Sequence, residues 1–137
     1  MPFDGREQFE KKSYALAVID GAMGELNSPT KWCKGAFYTT DGRRCLVGAI
    51  KLAGTALRIG SSVEALALVK EPILRSIKEY TGKTYTAIEP FNDNRNTVYQ
   101  DVMHVLARSR EIIEKDIVLP SEKRSKFLSQ LKVLLRV

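Results

Sequence analysis

The sequence predicts a mostly α-helical protein: a single compact helical domain over residues 1–137, of about five helices, with a short β-hairpin near residues 35–45. Three observations carry this. Apolar residues recur at the 3.6-residue helical period in several segments. Helix start and stop signals fall between those segments. A chain of 137 residues, 44% hydrophobic, suits one core and leaves no length for a second sizeable one.

Residues 7–24 read as the first helix. Phe9, Leu16, Ile19 and Met23 share a side that Val18 and Ala22 widen, while Lys11, Lys12 and Asp20 take more exposed positions. Asn27-Ser28-Pro29 stops it, because Pro29 drives Ser28 out of helical geometry. GAFYT and the turn residues Thr40-Asp41-Gly42 suggest the hairpin, although a two-stranded ribbon is marginal alone. From Cys45 the run CLVGAIKLAGTALRIG reads as a buried helix closed by Gly60. Its internal Gly48 and Gly54 cost about 1 kcal/mol each in helix propensity and need a packing reason.

Val63 to Val69 reads as a short helical turn. Pro72 then suits the first turn of a separate helix through Ile73, Ile77 and Tyr80, stopping at Thr81-Gly82. Thr84 to Ile88 reads as extended, and PFNDNRN from Phe91's neighbour Pro90 as a polar loop. Thr97-x-x-Gln100 forms a capping box with Asp101 near the same helix start. Val98, Val102, Val105 or Leu106, and Ile112 or Ile113 give the helix behind it a strong period. Pro120-Ser121 opens a last helix with Phe127, Leu128, Leu131, Leu134 and Leu135 as its apolar face and Lys123, Arg124, Lys126 and Lys132 as its basic side. That helix is either docked with a solvated face or amphipathic toward a partner, a membrane surface or a second copy.

The net charge of +6 is split: +3 over residues 1–60, −1 over 61–106 and +4 over 107–137. Acids are interspersed at both ends, so the surplus describes either a basic face or an ordinary solvated surface. Two cysteines exclude a disulfide-dense secreted scaffold. No signal-peptide layout appears, and no uncharged run reaches the ~20 residues of a membrane span. A cytoplasmic protein with reduced thiols is expected.

Standard chemical motifs are missing. One histidine and no close cysteine pair leave no zinc site of usual spacing, so no metal is expected. There is no phosphate-binding GxxxxGK[ST] loop, no GxSxG elbow and no basis for a cofactor. A single carboxylate in PFNDNRNT does not make a calcium loop. No RNA-reading or helix-turn-helix pattern appears.

Two groups of residues remain. Cys45, at a helix start, would have a lowered thiol pKa if it faced free backbone N–H groups. A thiol nucleophile would need His104 as base and Asn92 or Asp93 to orient it, yet His104 lies two turns into its helix. Cys45 equally suits a small hydrophobe under the core. In the polar segment, Asn92, Asp93, Asn94 and Asn96 suit turn and cap duties. The functional alternative has Asp93 and Arg95 lining a cleft against Trp32, Arg43 or Arg44.

Trp32, then Gly42-Arg43-Arg44-Cys45-Leu46-Val47-Gly48-Ala49-Ile50, then Phe91-Asn92-Asp93 and a helix ending Leu106-Ala107-Arg108, resembles a family of small uncharacterised bacterial and phage proteins. Its pattern is a tryptophan, a Cys-Leu-x-Gly-Ala segment and an aromatic-Asn-Asp before a helix, covering about residues 32–108 here. The resemblance implies no known activity. It implies a core or cleft across two helix starts, marked by Trp32, Cys45, Gly48, Asn92 and Asp93. Members often carry a histidine just after the Asn-Asp turn, where this chain has Tyr99. That departure counts against a shared Cys-His mechanism and favours Asp93 as a fastener of the turn.

The first functional reading is therefore a non-enzymatic helical domain that binds a protein partner or itself. Its binding residues would be Trp32, Arg43, Asn92, Asp93, Arg95, Lys123, Arg124 and Lys126. The alternatives are a thiol-dependent hydrolase or transferase using Cys45, and a nonspecific nucleic-acid binder through a basic face.

Overall fold

Four amphipathic helices bury their apolar stripes against one another, and a fifth, very short one closes one end. The computed structural model describes residues 5–115, with side chains from Glu10 onward. Its elements are α1 (Gly5–Glu25), a 3-10 turn (Pro29–Lys31), α2 (Leu46–Ala56), α3 (Ser62–Thr81), α4 (Glu89–Asp93) and α5 (Tyr99–Lys115). The mostly α-helical class with about five helices is as expected. The last helix read from Pro120, with Lys123, Arg124 and Lys126, lies outside the described residues.

α1 packs on α2, α3 and α5; α3 packs on α2 and α5; α4 rests against α2. Val18, Ile19, Leu26, Leu46, Ile50, Ile73, Ile77, Phe91 and Leu106 are fully buried between them. Gly54 has the packing reason its propensity cost demanded: a Cβ there would lie 2.2 Å from the Cβ of Ala65. Small residues let α2 and α3 approach backbone to backbone.

Several local expectations are corrected. The hairpin near residues 35–45 does not form, and among the described residues there is no β-strand. Instead Arg44 makes two isolated bridges, parallel to Trp32 and antiparallel to Tyr38. Gly35 and Gly42, at φ 78° and 86°, bend the chain too tightly for a ladder. The two helical pieces expected on either side of Pro72 are one helix, α3, with Pro72 inside it. A proline within a helix removes one backbone bond and crowds the preceding turn. Here buried Ala65 and Val69 before it, and Ile73 and Ile77 after it, anchor one continuous stripe in the core.

α2 ends at Ala56, capped by Leu57, four residues before Gly60; Arg58 takes the left-handed φ of 55°. Thr84 to Ile88 is irregular, not extended. The polar segment is partly helical, since Pro90 sits in the first turn of α4 and turns Phe91 and Asn92 inward. The N-terminal box of α5 is shifted by one residue. Asp101, not Gln100, reaches back, its carboxylate accepting from the Val98 N–H at 2.8 Å.

Candidate functional site

The pattern residues of the sequence converge at the amino end of α2. Cys45 is its N-cap, in extended geometry, and its Sγ accepts a hydrogen bond from the Gly48 N–H at 3.3 Å. α4 delivers Asn92 to the same place because Phe91, its neighbour, is locked in the core. The Asn92 side chain is completely buried. Its Oδ1 accepts from the Trp32 indole Nε1–H at 2.7 Å and from the Leu46 backbone N–H at 3.0 Å. Its Nδ2 donates to the Cys33 carbonyl at 3.1 Å and to Asp93 Oδ1 at 3.0 Å. An amide has two acceptor and two donor positions, and Asn92 uses all four. One side chain thereby ties together the 32–44 segment, the start of α2 and α4.

Asp93 extends this knot outward. Its Oδ1 also accepts from the Gly35 N–H at 2.9 Å, and Lys34 Nζ donates to the Asn94 carbonyl at 2.7 Å. On the other side of the loop, the Phe37 carbonyl accepts from the Cys45 N–H at 3.2 Å. That carbonyl lies where a Cβ on Gly48 would be, 2.2 Å away. Gly48 is thus required by the close approach of the loop backbone to α2.

The tip of the loop is left outside. Phe37 and Tyr38 are 42% and 48% exposed, although both are large and apolar. Lys51 Nζ lies 4.4 Å from the centre of the Phe37 ring, and Lys34 Nζ lies 5.4 Å from that of Trp32. A cleft of about 280 Å³ opens beside them, lined by Gly35, Ala36, Phe37, Cys45, Glu89 and Asp93. Phe37, Tyr38 and Lys51 carried no signal at the level of sequence.

The remaining candidates are distributed differently. Arg43 sits on the same loop, ion-paired with Asp41 at 3.1 Å. Arg95 is exposed in the turn after α4. His104 is exposed on α5 and stacks on Tyr80 of α3, ring centres 4.2 Å apart. It is engaged with α3, not with Cys45. Among the described residues there is no group of three or more metal-ligating side chains and no helix long and apolar enough to cross a membrane.

Burial raises the Cys45 thiol above its ordinary pKa, and the opposing N–H groups of Gly48 and Val47 do not cancel that effect. The geometry suits the reading of Cys45 as a small hydrophobe under the core, and gives the alternative of a dipole-activated thiolate no support: the backbone N–H of Gly48 is spent on capping a buried thiol. Cys45 should therefore alkylate far more slowly in the native protein at pH 7 than in the unfolded chain. Because the folded value is the higher one, the thiol stabilises the fold below its ordinary value of 9.0. That contribution is lost as pH rises through the folded value. Fast native labelling near neutral pH would contradict this arrangement.

A family model described as a family of unknown function (DUF6197) matches residues 13–111. The chain belongs to this family. The match begins well before Trp32, at Ser13 within α1, so it covers more than the 32–108 stretch on which the resemblance rested. Neither a curated protein nor a solved structure matches the chain.

Proposed function

We propose that this family member is a non-enzymatic binding module whose recognition surface is the loop tip at Phe37 and Tyr38, with the adjoining cleft, and whose ligand is another protein. The observation that supports the reading most is the contrast between a fully buried, fully bonded Asn92, which anchors the loop at Trp32 and Cys33, and the exposed aromatics at that loop's tip. Binding loops work best when their ordering cost is met before the partner arrives. Aromatic anchors beside a small pocket are what protein–protein hot spots use. Lys51 beside Phe37 and Lys34 beside Trp32, with Glu89 and Asp93 lining the cleft and Arg43 paired to Asp41, favour a partner patch that is apolar at its centre and carries both charges at its rim. Trp32, Asn92 and Asp93 serve this reading as supports of the loop, and Arg95 as a rim contact. Lys123, Arg124 and Lys126 remain a second partner surface that rests on sequence alone.

The thiol-enzyme reading is weaker, since Cys45 serves as a cap and His104 stacks on Tyr80. The proposal places the protein in a reducing, cytoplasmic compartment, where Cys33 and Cys45 stay reduced, and takes the Trp, Cys-Leu-x-Gly-Ala and aromatic-Asn-Asp pattern as the family's structural signature.

The test is photo-crosslinking in cells with a benzophenone amino acid at position 38, and at exposed Lys70 as a control. A discrete protein adduct from position 38, absent at 70 and lost when Phe37→Asp is added, is the expected result. Adducts that disappear with nuclease would favour nucleic acid instead. A band at twice the chain mass would identify a second copy. No adduct above the control would overturn the proposal.

A further inference from the structure

A second concave surface, remote from the loop in sequence, runs between α1, the α2–α3 connection and α3. It is a groove of about 860 Å³ with Tyr14, Ala15, Leu57, Ala67, Leu68 and Ile113 among its walls. Tyr14 and Leu57 are 50% and 44% exposed there, so apolar surface is left uncovered. We infer that this groove is the docking site of the chain's own amphipathic segment 120–135, which lies outside the described residues.

Position selects that occupant. Ile113, one of the groove walls, is in the last turn of α5, and Lys12 from α1 donates to the Glu114 carbonyl beside it. The chain after Lys115 therefore leaves at the edge of the groove. Six residue steps separate Lys115 from Ser121, which reach at most about 20 Å when extended. That is enough to turn back. The apolar stripe from Phe127 to Leu135 spans eight steps, about 12 Å at a helical rise. The groove wall on α3 runs from Glu64 to Pro72, also eight steps. Five large apolar side chains, Phe127, Leu128, Leu131, Leu134 and Leu135, meet a surface of matching length and character. Charge does not choose the occupant, because Lys11, Lys12 and Arg58 share the rim with Glu64 and Glu71.

The test is limited trypsin digestion of the full chain, read by mass at Lys123, Arg124 and Lys126. The comparison variants are Ala67→Glu and Tyr14→Glu, at exposed groove positions, and Leu131→Asp in the stripe. Docking predicts cleavage at these sites about tenfold or more faster in each variant, with cleavage at Arg108 unchanged. Leu131→Asp alters none of the described helices, so it reads the contact even if a groove variant fails to fold. Equal cleavage rates in the wild type and Leu131→Asp would overturn the inference. Protection that grows with protein concentration, together with a dimeric mass, would overturn it in favour of a second copy.

Discussion

Asn92→Ala should destabilise the protein by about 3–5 kcal/mol, a large share of the total stability of a domain this size. The substitution leaves the Trp32 indole N–H and the Leu46 N–H without their acceptor and the Cys33 carbonyl without its donor. Each unpaired buried polar group costs about 1–3 kcal/mol, and a small cavity adds to it. Chemical denaturation followed by the fluorescence of the single tryptophan measures the loss directly, since Trp32 belongs to the same knot. Asp93→Asn is the informative control. It keeps a side-chain oxygen for the Gly35 N–H at an exposed position, so its effect should be small. A mild Asn92→Ala phenotype would mean that the four bonds do not act as a unit.

Gly48→Ala is the second large effect. In an ordinary helix this change is favourable by up to about 1 kcal/mol. Here the new methyl would meet the Phe37 carbonyl at 2.2 Å and the Tyr38 ring at 3.2 Å. Backbone cannot yield as a flexible side chain can, so the loop must move. Overpacking of this kind costs roughly 1–3 kcal/mol and should outweigh the propensity gain. The Phe37 carbonyl would also leave the Cys45 N–H, so native alkylation of Cys45 should accelerate even where the variant stays folded. Gly24→Ala provides the contrast, because nothing lies within 4 Å of the position its Cβ would take. Thermal or chemical denaturation should show Gly24→Ala neutral or stabilised and Gly48→Ala destabilised.

Much of the fold was legible because α1 and α5 bury one stripe each, which shows directly as spacing, while α2, buried on nearly every side, shows as a continuous apolar run. Val18, Ile19 and Ala22, then Val102, Val105 and Leu106, are buried in the pattern their spacing predicts. α3 was not legible as one helix, since Pro72 is a strong local stop whose effect is overridden by core contacts on both sides of it. α4 was hidden for the opposite reason. Its residues are polar and its proline looks like a loop signal, while the force that makes it helical is the burial of Phe91 by distant elements.

The site shows the same division. The family resemblance grouped Trp32, Cys45, Asn92 and Asp93, and the fold brings all four to one helix start, where Asn92 bonds to Trp32, Leu46 and Asp93. Residue type alone suggested a nucleophile with its helpers. Only the direction of each hydrogen bond reveals a structural knot instead: the thiol accepts from a backbone N–H, and the asparagine is saturated. Phe37 and Tyr38 were invisible as site residues, because an exposed aromatic and a buried one are written with the same letters.

The central claim is that Asn92 holds the 32–44 loop in one shape before any partner binds. The most direct measurement is hydrogen exchange at the Trp32 indole N–H, which gives a unique nitrogen–proton resonance because the chain has one tryptophan. The account predicts slow exchange in the free protein, with protection lost in Asn92→Ala under conditions where α5 amides remain protected. Exchange at the rate of an exposed indole in the wild type would contradict it, showing that the bond to Asn92 is not maintained and the loop is not prearranged.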